Sequence, residues 1–81
     1  MNIYISGLNF STTDADLNDL FSEYGEVSSA RIITDRETRR SRGFGFVEIA
    51  DDAAGAKAIA ELNGAEYEGR QMVVKEALPR N

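Results

Sequence analysis

Residues 40–49, RSRGFGFVEI, place two phenylalanines among glycines directly behind an arginine. Side chains on a strand point alternately to opposite faces, so Phe44 and Phe46 share one face with Arg42 and Glu48. The opposite face carries β-branched residues that suit a packed core. A charged residue at each end indicates that the phenylalanine face lies in water, where neighbouring rings cost solubility. The stretch therefore indicates either a partner surface or a strand that is buried on both faces.

Four segments of the chain have the alternation of apolar and polar residues that is typical of β-strands. In the first segment, Ile3 and Ile5 point to one side and Tyr4 points to the other. In the last segment, Met72 and Val74 are expected to point inward. The four predicted strands are residues 2–6, 27–34, 42–49 and 71–77.

Two segments between these strands carry helix signals. Thr13, with Asp16 three residues later, fits a capping box, and apolar residues at helical spacing follow it until Gly25. A second helix is predicted to begin at Asp51 or Asp52 and to end at an Asn-Gly pair. The predicted inner stripe of this second helix is Gly55, Ile59 and Leu62.

The order of the predicted elements is βαββαβ. This order predicts an α+β, ferredoxin-like sandwich, in which two helices cover one face of a four-stranded antiparallel sheet. The other face stays open, and it carries Phe44 and Phe46 together with Tyr4. The arrangement removes the possibility that the phenylalanine strand is buried on both faces. We expect a single domain over residues 1–78 and a short C-terminal end over residues 79–81.

The composition excludes several classes of site. The 81 residues include no cysteine and no histidine, which excludes disulfides, thiolate or imidazole metal ligands and histidine catalysis. We expect no metal, no cofactor and no small-molecule substrate. No run approaches the roughly 18 apolar residues of a membrane helix, and the N-terminal residues lack signal-peptide features. We therefore expect no membrane contact and a cytoplasmic location.

The distribution of charge matters more than its total. The net charge is −5, yet residues 31–42 hold five arginines against two acidic residues. The remaining residues hold four basic and twelve acidic side chains. Positive charge is thus concentrated beside the aromatic strand, which favours an anionic partner there, although a charged run is often only a solvated loop.

Two motifs at these positions resemble those of the RNA recognition motif (RRM) family. Residues 42–49, RGFGFVEI, match the family's octamer at seven of eight places. Residues 3–8, IYISGL, match its hexamer apart from Gly7, which stands where the family has asparagine. The spacing of the motifs fits as well, so the likeness covers essentially the whole chain. In length the chain is most similar to small single-domain RRM proteins of bacteria.

Three departures from the family pattern are expected to leave binding intact. Ile49 replaces the octamer's last aromatic residue but faces the predicted core. Gly7 lies at a strand end, where it changes local turn geometry. Arg39 stands where relatives often carry glycine and adds charge to the loop.

The resemblance implies single-stranded RNA binding, in post-transcriptional regulation or RNA chaperoning. Tyr4 and Phe46 would each stack one base, and Phe44 would pack against the riboses between those bases. Arg42 would pair with a backbone phosphate. Single-stranded DNA is a possible competitor, and we expect a monomer. The flanking candidates are Arg31, Ile33, Arg39, Arg40, Glu48, Val73, Lys75, Glu76 and Ala77.

Three other interpretations carry less weight. A protein-binding RRM-like module could use the acidic face of the first helix, but such relatives usually have Arg-x-Phe where this chain has Arg70-Gln71-Met72. An enzyme is disfavoured because Glu48 lies beside rings on an open sheet with no pocket suggested. A dimer could instead bury the aromatic residues.

Overall fold

The computed structural model describes residues 1–77, which contain two helices and six strands. The predicted boundary at residue 78 and the predicted end at residues 79–81 lie outside these described residues. The helices are α1 (Asp14–Ser22) and α2 (Asp52–Leu62). The strands are β1 (Asn2–Ser6), β2 (Val27–Thr34), β3 (Ser41–Ile49), β4 (Glu66–Tyr67), β5 (Arg70–Gln71) and β6 (Val73–Glu76).

Four strands form an antiparallel sheet in the order β2-β3-β1-β6. The two motif strands, β1 and β3, lie at the centre and pair with each other. Both helices pack on one face of this sheet, where Ile3, Ile5 and Val47 are almost fully buried against Leu17 and Phe21 of α1. The predicted α+β sandwich of ferredoxin-like topology is confirmed.

The helix starts are set by the predicted caps. Thr13 and Asp16 form a complete capping box, in which the backbone N–H of each donates to the side chain of the other. Asp51 caps α2 by accepting a hydrogen bond from the backbone N–H of Ala53 at 2.9 Å. Helix α1 ends at Ser22 rather than at the predicted Gly25, because the chain tightens into a turn after Phe21.

The inner stripe of α2 differs from the prediction at one position. Gly55, Ala58 and Leu62 are buried, whereas Ile59 is only half-buried. Gly55 packs closely on its surroundings, and the nearest neighbour of a Cβ atom built there is the side chain of Met1. The small residues of α2 therefore bring this helix close to the start of β1.

The predicted strand over residues 71–77 is wrong in its first two residues and in its last one. Gln71 belongs to a separate two-stranded hairpin, and Met72 forms backbone hydrogen bonds with Gly64 and Ala65. The hairpin turns at Glu68 and Gly69, whose positive φ values of 51° and 82° are typical of a type I′ turn. The last sheet strand is consequently only Val73–Glu76.

Two tyrosines lie at the margin of the core, on the helix side of the molecule. Tyr24 and Tyr67 are half-buried and pack against the core residues. Burial, reinforced by neighbouring carboxylates, raises the pKa of both phenols. Tyr67 thus packs against the core from β4 without being fully enclosed by it.

Candidate nucleic-acid interface

Three aromatic rings form one cluster on the sheet face that neither helix covers. Tyr4 of β1 pairs with Phe46 of β3, and their ring centroids are 5.5 Å apart with an interplanar angle of 60°. Phe44, two residues before Phe46 on β3, is also next to Tyr4, with a centroid distance of 5.9 Å and an angle of 36°. Phe46 is 40% exposed, while Tyr4 and Phe44 are half-buried because the rings pack against each other. We call these three rings the ring platform.

Basic side chains extend the ring platform across all four strands. Arg31 of β2 lies opposite Phe46, which lies opposite Tyr4, which lies opposite Lys75 of β6. Directly paired residues project to the same face, so these four side chains form one row with a cation at each end. The Lys75 Nζ lies 5.4 Å from the centroid of the Tyr4 ring, a cation–π geometry. The row combines π-faces with positive charge, which suits an aromatic anion.

The glycine between the two phenylalanines is required by packing on the other face. A Cβ atom at Gly45 would lie 2.5 Å from the carbonyl oxygen of Arg31 and 3.2 Å from a methyl group of Leu17. Strand β2 and helix α1 thus approach β3 so closely that only glycine fits at this position. In the Phe-Gly-Phe pattern, the two phenylalanines thus point to the open face. The glycine between them faces the core, which has no room for a side chain there.

A shallow cavity with a volume of about 460 Å³ borders the ring platform. Its lining is Tyr4, Phe46, Lys75, Glu76 and Ala77. The backbone N–H of Ala77 already donates to the carbonyl oxygen of Asn2 at 2.8 Å, so that donor is used within the protein. Polar groups offered to a ligand at this edge come instead from the exposed side chains of Lys75 and Glu76.

Comparison with known proteins agrees with this geometry. A model of the family described as RNA recognition motif matches residues 3–73. The chain is a member of the RNA recognition motif family. Its relatives include RbpD of the cyanobacterium Nostoc sp., which is 51% identical over 80 residues, covering 99% of this chain and 85% of RbpD.

Solved structures give the same assignment. The crystal structure of RNA-binding protein PG1 is 54% identical, with a TM-score of 0.96 over 100% of this RRM and 98% of that chain. The structure of the Rna15 RRM with bound RNA (GU) is 28% identical, with a TM-score of 0.84 over 94% and 81% of the two chains. The family consists of binding domains, and this RRM is not an enzyme.

A bulge interrupts the RRM sheet just before the ring platform. The pairs Ile32–Gly45 and Thr34–Ser41 enclose three residues of β3 but only one of β2. Gly43, inside the bulge, has a φ of 81°, which favours glycine. From Phe44 onward, the side chains of β3 therefore alternate between the two faces of the sheet. This alternation does not predict the face to which the residue before Gly43 points.

Arg42 is that residue, and it lies beside the connection between β2 and β3. Its Nη2 atom is 4.0 Å from a carboxylate oxygen of Asp35, and both side chains are partly exposed. Asp35 accepts hydrogen bonds from the backbone N–H groups of Glu37 and Thr38 at 2.8 and 3.1 Å. These hydrogen bonds, with a smaller contribution from Arg42, lower the pKa of Asp35. Arg42 is thus accessible to a phosphate, but one carboxylate competes for it.

The other predicted flanking residues lie in the strands of the sheet or in the connection between β2 and β3. Val73, on the edge strand, is 49% exposed and lies opposite Ser6. Glu48 is exposed opposite Asn2, whereas Ile33 is half-buried. Arg39 and Arg40 are exposed in the connection between β2 and β3, directly before β3 begins at Ser41.

The acidic face of α1 has structural uses in this RRM. Asp16 belongs to the capping box, and Asp14 accepts a hydrogen bond from the backbone N–H of Ile32 at 2.7 Å. This contact ties α1 to β2. Two of the carboxylates that suggested a peptide-binding face thus have partners within the protein, and nothing supports the protein-binding alternative.

The sequence interpretation did not include Phe10, which is 66% exposed in the loop between β1 and α1. The only available signal was an aromatic residue in a polar loop, outside any periodic segment. Within residues 1–77, no cluster of three potential metal ligands is found, and no helix is long and apolar enough to span a membrane.

Proposed function

We propose that this RRM binds single-stranded RNA by stacking unpaired bases on Tyr4 and Phe46. Phe44 contacts the riboses between these bases, and Arg42, Arg31 and Lys75 pair with phosphates. The observation that carries the proposal is the row of Arg31, Phe46, Tyr4 and Lys75 across the open sheet. The RNA-binding relative PG1 and the RNA-bound Rna15 RRM support it.

Stacking sets the scale of the affinity. Each stacked base contributes roughly 1–3 kcal/mol by alanine substitution, so two bases and a few phosphate contacts correspond to a dissociation constant in about the micromolar range. The proposal includes a monomer in the cytoplasm that acts in post-transcriptional regulation or RNA chaperoning. Single-stranded DNA, which has the same π-faces, is proposed as a weaker or equal competitor.

The proposal is tested by comparing single-stranded with double-stranded RNA. A pool of random eight-nucleotide RNAs is expected to bind at least about tenfold more tightly than a blunt RNA duplex, because bases inside an A-form helix offer no free face. Fluorescence anisotropy gives the affinities, and NMR shows whether the ring signals of Tyr4, Phe44 and Phe46 shift. Equal binding of both RNAs, or shifts confined to the helices, would place the site elsewhere.

The salt dependence of binding is expected to be mild. Two or three phosphates neutralised by Arg31, Arg42 and Lys75 correspond to a log–log slope of about −1.5 to −2 for single-stranded RNA. Replacing Arg31 with glutamine should reduce the steepness by about 0.7, whereas the same replacement of Lys57, on helix α2, should leave it unchanged. A slope steeper than about −5 would indicate a long basic groove rather than this sheet.

A further inference from the structure

An Asn-Gly pair joins helix α2 to the strands that follow it. Asn63 is the C-cap of α2, with φ −64° and ψ 121°, and Gly64 has a φ of 84°, in the left-handed region that favours glycine. Among the asparagines of the chain, Asn63 alone is followed by glycine. Because glycine carries no Cβ atom, its backbone nitrogen is open to approach by the preceding side chain. Attack of that nitrogen on the side-chain amide is one reason why asparagine is a thermolabile residue.

The fold engages both groups that would react. The Oδ1 atom of Asn63 accepts a hydrogen bond from the backbone N–H of Val74 at 3.0 Å, a partly buried contact between the end of α2 and β6. The backbone N–H of Gly64 donates to the carbonyl oxygen of Met72 at 2.8 Å. The reaction requires both hydrogen bonds to break, because the Asn63 side chain must turn from β6 toward its own backbone. Each group is thus tied to a partner other than the one with which it would react.

The contacts around the pair make its opening cooperative. We call residues 63–72, which lead from α2 to β6, the α2–β6 connection. The Gln71 Nε2 donates to the carbonyl oxygen of Gly64 at 3.0 Å, and the backbone N–H of Met72 donates to the carbonyl oxygen of Ala65 at 2.9 Å. The Met72 side chain is almost fully buried. Since these contacts share residues, the connection is expected to open as a unit, in a local unfolding event that leaves the rest of the sheet folded.

We propose that Asn63 is a site of spontaneous deamidation whose rate is set by the opening of the α2–β6 connection. In the open state, the Gly64 nitrogen forms a bond to the side-chain carbonyl carbon of Asn63. The bond from that carbon to the amide nitrogen breaks, and ammonia leaves with the proton that the Gly64 nitrogen gives up. Water, the sole co-reactant, then opens the cyclic imide at one of its two carbonyl carbons. The product is an aspartate or an isoaspartate at position 63.

The two products affect the fold differently. An aspartate at position 63 still offers an oxygen to the backbone N–H of Val74. An isoaspartate routes the main chain through the side chain and lengthens it by one atom, which displaces the Gly64 N–H from the Met72 carbonyl. Strand β6 begins at Val73 and carries Lys75, which pairs with Tyr4 of the ring platform. Isoaspartate formation therefore loosens an edge of the open sheet face, and it does so only in molecules that have opened.

Trypsin produces a fragment that isolates the site. Cleavage after Lys57 and Arg70 releases residues 58–70, in which Asn63 is the only side-chain amide. Cleavage after Arg31 releases residues 1–31, whose three asparagines precede residues other than glycine and serve as the internal control.

The protein is incubated in neutral buffer, folded or unfolded by urea, and mass spectrometry follows both fragments. In urea, deamidation is expected to be faster in the Asn63 fragment than in the control fragment. In the folded protein, the rate at Asn63 should be at least about tenfold lower than in urea, because only the open fraction reacts.

One side-chain hydrogen bond offers a variant that favours opening. Gln71→Ala removes the hydrogen bond to the Gly64 carbonyl and should raise the rate in the folded protein about twofold or more, with the rate in urea unchanged. Glu66→Ala, exposed on the other strand of the same hairpin, is the matched control and should keep the parent rate. Circular dichroism checks that both variants are folded.

Hydrogen exchange provides a measurement that needs no variant. The exchange rate of the Gly64 amide, followed by NMR in the parent protein, gives the open fraction of the connection. This fraction should equal the ratio of the folded to the unfolded deamidation rate within about threefold.

Several results would overturn the proposal. Equal rates at Asn63 in folded protein and in urea would show that the fold does not control the reaction. A rate in urea no higher than that of the control fragment would show that Asn63 is not labile. A parent rate in folded Gln71→Ala, or an exchange fraction outside the stated range, would show that another motion sets the rate. No RNA enters this test, so its outcome is independent of the proposed function.

Discussion

Replacing Phe46 with alanine should lower the affinity for short single-stranded RNA by about tenfold or more, because one base loses its stacking partner. Phe46 is the most exposed ring of the platform, at 40%, and it lies between Arg31 and Tyr4 in the central row. The side chain touches no helix, so the fold should survive its removal. Fluorescence anisotropy with the random eight-nucleotide pool gives the affinity, and far-UV circular dichroism checks the fold.

A matched substitution on the other side of the sheet separates stacking from general loss of apolar surface. Ile59, half-buried on α2, packs at the margin of the core and is remote from the open face. Ile59→Ala should reduce stability but leave RNA affinity within about twofold. If folded Phe46→Ala protein binds RNA as tightly as the parent does, the ring platform is not the binding surface.

Replacing Gly45 with alanine should reduce the free energy of unfolding by about 1–3 kcal/mol, because the added methyl group meets backbone that cannot move aside easily. The new Cβ would lie 2.5 Å from the Arg31 carbonyl oxygen and 3.2 Å from the Ile32 Cα. Relief requires β2 to shift away from β3. For a domain of this size, the melting temperature should fall by about 4–8 °C for each kcal/mol.

Gly55 provides the contrast for this experiment. A Cβ at Gly55 would also meet a close neighbour, at 2.6 Å, but that atom is the sulfur of Met1, which belongs to a flexible side chain. Helix propensity favours alanine over glycine by about 1 kcal/mol, so Gly55→Ala should be close to neutral. Thermal and urea unfolding measure both variants. Equal stability of Gly45→Ala and the parent would show that β2 is not held where the structure places it.

Much of the fold could be predicted because its signals are local and strong. Side chains alternate between the two faces of the sheet along β1, and along β3 from Phe44 onward. This alternation correctly predicts that Tyr4 and Phe46 point to one face and the buried isoleucines to the other. Capping residues are similarly reliable because Thr13 and Asp51 act within three residues of their own position. The roles of the ring platform in RNA binding remain predictions.

Other features depend on contacts that no local pattern records. Strands β4 and β5 have two residues each, too few to show a period, and their turn forms at Glu68, which is not a typical turn residue. The exposure of Phe10 depends on hydrogen bonds between segments about 60 positions apart, such as that from Asn9 to Glu68. The place of Ala58 in the α2 stripe depends on how closely that helix approaches β1.

The spacing of the two central rings has a consequence for the RNA itself. Their centroids are 5.5 Å apart and their planes are inclined by 60°, whereas successive phosphates along one strand of a duplex advance by about 3.4 Å. Under the proposed function, neighbouring bases seated on Tyr4 and Phe46 must come apart from each other. Adjacent adenines stack strongly on one another, whereas adjacent uridines stack weakly. Separating the bases of an adenine run therefore costs more free energy than separating those of a uridine-rich tract. The protein would discriminate by the stiffness of its ligand, before any hydrogen bond to a base edge is made.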